Sequence, residues 1–324
     1  MSQHTNVVAC MLLFWLATVG TAASAAYPER PVRLIVAYPA GASTNDILGR
    51  ALAEKLSGAL GQTVVVENRP GAGGTIGTAL AAQAQNDGYT LLLGANGPMS
   101  ISPHVLKLTY DPRRDFEPIT LFAIVPYVIT INPSLPAKTL EEFVALAKRE
   151  PGELKYASAG IASTPHLCGE LFKTVTGTRL LHVPYKGGAP ATASVVAGET
   201  QMYCAGAVAQ AGSIRAGRLR GLVSTWKTRL PALPDVPSAA EAGVPDLEVA
   251  SWNGVLAPKG TPRAIVERLH HEIVKIVGTP EMRDFLVKQG VEIETQGPQE
   301  FGRFIATELD RWGDVIRKAG ITIQ

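Results

Sequence analysis

"VRLIVAYPAGASTNDILGRALAEKL", residues 32–56, runs from an apolar stretch through a loop of small residues into a pattern with helical spacing. Val32 to Ala37 read as a buried strand, because a continuous apolar run of this length suits a strand covered on both faces. From Asp46 the apolar residues recur at helical spacing, and Gly61 supplies the stop. The loop between them, Pro39 to Asn45, holds no Lys, Arg or His. It is richer in small and hydroxyl residues than a plain strand-to-helix turn requires.

The same grammar repeats downstream. "TVVVEN" is a strand, "IGTALAAQAQNDG" a helix and "YTLLLGA" a strand, which makes a βαβαβ opening and predicts a parallel sheet covered by helices. "ITLFAIVPYVITINPSLP" reads as two strands broken at Pro126. A second series follows: "LKYASAG", "PHLCGELFKTVTG", "RLLHVPY", "PATASVVAGE" and "QMYCAGA" alternate strand and helix. The proline-rich "TRLPALPDVPSAAEAGVPD" reads as a surface connection. A late strand, "EVASWNGVLAP", precedes two long helices, "PRAIVERLHHEIVKIVG" and "PQEFGRFIATELDRWGDVIRKAG". Two α/β blocks with a returning segment predict two lobes with a ligand cleft between them. The expected division is 1–26 as a leader, 27–125 with 247–324 as one lobe, and 126–246 as the other.

Residues 7–19, "VVACMLLFWLATV", are apolar over a length too short for a bilayer span, and Ala23-Ser24-Ala25 follow as a cleavage signal. Export to the periplasm is therefore expected, with cleavage after Ala25 or Ala26. The net charge of +2 gives no case for a nucleic acid or an anionic membrane as partner. Once Cys10 leaves with the leader, Cys168 and Cys204 remain; they are paired in a disulfide or are two buried thiols.

No motif argues for catalysis. The glycines of Gly71-Ala72-Gly73-Gly74-Thr75-Ile76-Gly77 miss the dinucleotide register, because Ile76 stands where the third glycine belongs. His270-His271-Glu272 lacks zincin spacing, so no metal or cofactor is expected. A hydrolase using Ser158 or Ser163 with His166 lacks the nucleophile elbow. What remains is a set of loops at strand ends: 39–46, Ser158 to Thr164, and "PYKGGAP" at 184–190. Helix N-termini there present free N–H groups, which suit an anion without any side-chain cation.

The chain resembles the Bug-type periplasmic solute-binding proteins, the receptors of tripartite tricarboxylate transporters. The resemblance rests on "YPERPVRLIVAYPAGAS", "VVVENRPGAGGTIG", "DGYTLLLG", "YDPRRDFEPIT", "NPSLPAKTLEEF", "YASAGIASTPHL", "HVPYKGGAP", "AGRLRGL", "LPDVPSAAEAG" and "LAPKGTP", in order along the mature chain. It implies a two-lobed, hinge-closing α/β receptor, monomeric and without cofactor, that encloses a small carboxylic acid for a membrane transporter. A sensor protein is the alternative partner. The resemblance places Ala40, Gly41, Ala42, Ser43, Thr44, Asn45 and Asp46 in the first-lobe ligand loop, with Gly94, Ala95 and Asn96 lining that lobe. In the second lobe it places Ser158, Ala159, Gly160, Ser163, Thr164, His166 and Tyr185, with Ala205 where relatives often carry an acid or amide. Ala42 stands for the family's second glycine, and the loop is a residue longer before Asp46.

Overall fold

Side chains of β1 (Val32–Val36) alternate between two cores: Val32, Leu34 and Val36 pack on one face and Ile35 on the other. That two-sided burial explains the unbroken apolar run. The computed structural model describes residues 27–41 and 43–320, so the leader and Ala42 lie outside the described residues. Helix α1 (Thr44–Leu60) lays Leu48, Leu52, Leu56 and Leu60 on this sheet at four-residue spacing. It ends at Gly61 in the left-handed conformation, φ 68°. Burial of four leucines at about 1.5–3 kcal/mol each is what holds the helix there.

Strand β2 (Val64–Asn68) and β3 (Thr90–Ala95) flank β1 in parallel, and α2 (Thr75–Ala82) connects them. The glycine-rich run before α2 is a packing device. Gly71, Gly73 and Gly74 take positive φ, and a Cβ on Gly77 would stand 2.6 Å from the Arg69 carbonyl oxygen. Only glycine lets this helix approach β1 so closely.

Strand β4 (Phe116–Ile131) is one 16-residue strand, not two. Pro126 survives inside it because β4 changes partners there. Up to Pro126 it pairs with β9 (Ala250–Pro258); from Tyr127 it pairs with β7 (Met202–Gly206) and β8 (Arg220–Ser224). A proline is tolerated where a strand has no continuous ladder on both edges. The second half-sheet adds β5 (Lys155–Ser158) and β6 (Leu181–Pro184), giving the order β2-β1-β3-β9-β4-β7-β5-β6. The antiparallel pairings all involve β4 or β9; β4 crosses between the halves, and the chain crosses again at Val249–Ala250 as it enters β9.

Helices α3 (Leu140–Arg149), α4 (Thr164–Thr176), α5 (Gly188–Ala197) and α6 (Ala207–Arg215) cover the second half-sheet. The chain returns through α7 (Arg263–Gly278), α8 (Pro280–Lys288) and α9 (Pro298–Ala319). The sequence suggested two terminal helices. The short α8 is the third, started by the Thr279 cap and by Pro280 in its first turn. Cys168 on α4 and Cys204 on β7 form a disulfide, Cα atoms 6.1 Å apart.

Candidate functional site

The carboxyl ends of β1 and β5 face each other across the junction of the two half-sheets, each followed by a loop and a helix. The two loops are built alike. In the first, Ser43 caps α1: its Oγ accepts from the Asp46 N–H at 3.1 Å and donates to the Pro39 carbonyl at 3.2 Å. In the second, Ser163 caps α4: its Oγ accepts from the His166 N–H and donates to the Gly160 carbonyl at 2.7 Å.

Each loop also folds back on a side chain from the first turn of its own helix. Gly41 donates its N–H to Asp46 Oδ2 at 2.7 Å, and Ala162 donates its N–H to His166 Nδ1 at 3.1 Å. Burial alone would raise the Asp46 carboxyl. Hydrogen bonds from Arg50, Gly41 and Asn68 outweigh it and hold the group below the ordinary aspartate value. Gly41 at φ 85° and Ala162 at φ 59° are the left-handed residues that turn the two loops.

This bracing occupies the hydroxyls of Ser43 and Ser163. Thr164 Oγ1 donates to Asn96 Oδ1, and Asn45 Oδ1 accepts from Asn253 Nδ2. Ser158 Oγ is 2.6 Å from His182 Nε2 and accepts from the Gly160 N–H. Among the described residues, the N–H groups of Ser43, Thr44 and Asn45 have no partner within the protein, and neither do those of Ile161 and Thr164. They lie at the N-terminal ends of a 17-residue and a 13-residue helix, where the helix field is positive. The loops can thus hold negative charge with backbone donors alone.

Ala40 and Gly41 lie in the first loop, and Ala159 and Gly160 in the second. Gly94 and Ala95 are buried in β3: a Cβ on Gly94 would stand 2.3 Å from the Leu256 side chain, so that glycine serves strand packing. Asn96, just beyond, reaches the second lobe. Tyr185 donates its N–H to the Ser158 carbonyl. Ala205 packs with Ala157, Ala191, Val195, Tyr203 and Leu219.

A cluster not legible in the sequence stands behind the second loop. His166 and His182 stack at 4.0 Å, Tyr156 stacks on His182 at 4.9 Å, and the Tyr156 hydroxyl donates to Glu170, which also holds Lys173. Ser158 thus faces His182, not His166, and it is fully buried. The pairing follows from the parallel register of β5 on β6, in which Tyr156 is opposite His182.

The model of the tripartite tricarboxylate transporter family receptor matches residues 48–321. Protein BugT of Bordetella pertussis is 35% identical over 325 residues, covering 99% of each chain. Rpa4515 of R. palustris, solved with adipate, superimposes with a TM-score of 0.86 at 36% identity, over 91% of this chain and 99% of its own. MatC of Rhodopseudomonas palustris, solved with bound malate, gives 0.81 at 30% identity, over 90% and 100%. The chain belongs to the tripartite tricarboxylate transporter receptor family, the Bug-type periplasmic solute-binding proteins.

Proposed function

We propose that this receptor holds a small carboxylic acid between its lobes, with carboxylate oxygens on the N–H groups of Ser43, Thr44 and Asn45 and on those of Ile161 and Thr164. The observation that carries the reading is the pair of matched loops, whose hydroxyls brace the backbone and leave its N–H groups free. Asp46 and His166 act as the braces, and Ala159, Gly160 and Tyr185 shape the second loop. The adipate and malate held by two relatives fit a pocket whose charge partner is a helix end.

The mature chain starts at Tyr27 or Ala26 after export, and the lobes comprise 27–125 with 247–324, and 126–246. Among the described residues no helix is long and apolar enough to cross a membrane. The receptor acts as a monomer and delivers its ligand to the membrane subunits of the transporter without catalysing a reaction. Ser158 supports this last point, since its hydroxyl, held between His182 Nε2 and Gly160, is fully buried.

The test is a thermal-shift panel on the refolded mature chain, containing mono-, di- and tricarboxylic acids, adipate and malate among them, their amides, and amino acids. A ligand at a hundred times its Kd stabilises by about 2.7 kcal/mol, a shift of roughly 5 °C. A shift with an acid that vanishes with its amide supports the reading. A shift from neutral solutes alone overturns it.

A further inference from the structure

Asn96 is 1% exposed and makes three hydrogen bonds that join three parts of the molecule. It follows the last residue of β3, in the first lobe. Its Nδ2 donates to the Ala250 carbonyl at 3.3 Å, and its Oδ1 accepts from Ser251 Oγ at 2.9 Å, both at the start of the returning strand β9. The same Oδ1 accepts from Thr164 Oγ1 at 3.1 Å, in the first turn of α4 in the second lobe. One side chain thus ties β3 and the start of β9 in the first half-sheet to the first turn of α4 in the second.

The bond to Thr164 differs in kind from the other two. Ala250 and Ser251 are fixed to the first half-sheet through the pairing of β9 with β3 and β4. Thr164 belongs to the other half, so its bond to Asn96 runs between the two half-sheets. The amide orientation is set by its surroundings: a carbonyl faces the NH2 group, and two hydroxyls face the oxygen.

We propose that Asn96 is a positioning residue for lobe closure, and that its bond to Thr164 favours the closed arrangement before any ligand binds. A neutral hydrogen bond of this kind changes the closed-to-open ratio by a factor of about 2–10. Closure then requires less differential affinity from the ligand than a free hinge would demand. The proposal concerns the ligand-free protein, so it stands or fails separately from the carboxylate reading.

The experiment is small-angle X-ray scattering on the refolded, ligand-free mature chain and on Thr164→Val, Thr164→Ser and Asn96→Ala. Valine keeps the size of threonine and removes the hydroxyl; serine keeps the hydroxyl. Thr164→Val and Asn96→Ala should raise the radius of gyration, by up to about 1 Å on a molecule of roughly 19 Å. Thr164→Ser should scatter like the parent chain, and the Thr164→Val/Asn96→Ala double variant should open no further than either single one. A merely structural loss would lower Tm without this pattern. The proposal is overturned if Thr164→Val keeps the parent radius, or if Thr164→Ser opens as far as Thr164→Val.

Discussion

Burial, together with the imidazole of His166, pushes His182 down to about 4, and burial likewise lowers His166. Both rings are therefore neutral in the folded protein at neutral pH, as His166 must be to accept the Ala162 N–H at Nδ1. In the unfolded chain they titrate near 6.5. Between about pH 6.5 and 4 the unfolded state binds more protons, so stability is complete above this window and falls as the pH drops through it. Glu170 and Lys173, which also face the pair, bind each other at 2.8 Å; burial alone would raise the Glu170 carboxyl, and hydrogen bonds from Lys173 and Tyr156 outweigh it and hold the group below the ordinary glutamate value. His182 is only half-buried, so the loss at pH 4.5 is on the order of 1–2 kcal/mol after allowance for solvent screening. Urea unfolding at pH 7.5 and 4.5 checks this. His182→Gln should be weaker at pH 7.5 yet lose less on acidification; an equal loss in both proteins would remove the imidazole from the account.

At the scale of the element, the sequence readings succeed where local signals suffice. The β1–α1 unit was legible because an apolar run, a small-residue loop, a 3.6-residue period and Gly61 agree. The loops that follow β1 and β5 were legible for the same reason. Their interior was not: Asp46 and His166 brace residues four or five positions earlier, a reversal that depends on left-handed turns no pattern announces. Pro126 misled because a proline inside a strand is read without knowledge of the edge it occupies. The Ser158–His182 contact needed the β5–β6 register, which composition does not carry. The sequence also left Cys168 and Cys204 open, whereas the fold joins α4 to β7 through them, 36 residues apart. Cys168→Ala/Cys204→Ala should cost about 2–4 kcal/mol in urea unfolding, since a loop of that length is released in the unfolded chain. Two free thiols in the denatured, unreduced parent protein would refute the pairing.

For the whole molecule, the question is how far the lobes can move apart. Strand β4 and the segment entering β9 cross between them, and α9 spans both: Phe301, Ile305 and Leu309 pack in a first-lobe core, while Trp312 and Ile316 pack with the second-lobe core. Such a helix restricts the motion to bending about the junction at Pro126 and Ala250. Closure can be blocked at Gly206, where the two halves approach. Gly206, which caps α6, takes φ −53° and ψ 134°, a conformation open to any residue. A Cβ there would stand 3.3 Å from Val125, 3.8 Å from Tyr127 and 3.9 Å from the Thr44 hydroxyl of the facing lobe. Gly206→Ala thus nearly fits, whereas the two methyl groups of Gly206→Val project into the seam and must push the lobes apart. Overpacking of this kind costs about 1–3 kcal/mol, and here the molecule can relieve it by staying open. Ligand affinity, measured calorimetrically with the acid that gives the largest thermal shift, should fall tenfold or more for Gly206→Val and only slightly for Gly206→Ala. The ligand-free Tm should change little in either, because the open form keeps both cores intact. If Gly206→Val instead lowers Tm by many degrees at unchanged affinity, the seam is part of a rigid core and the lobes do not separate there.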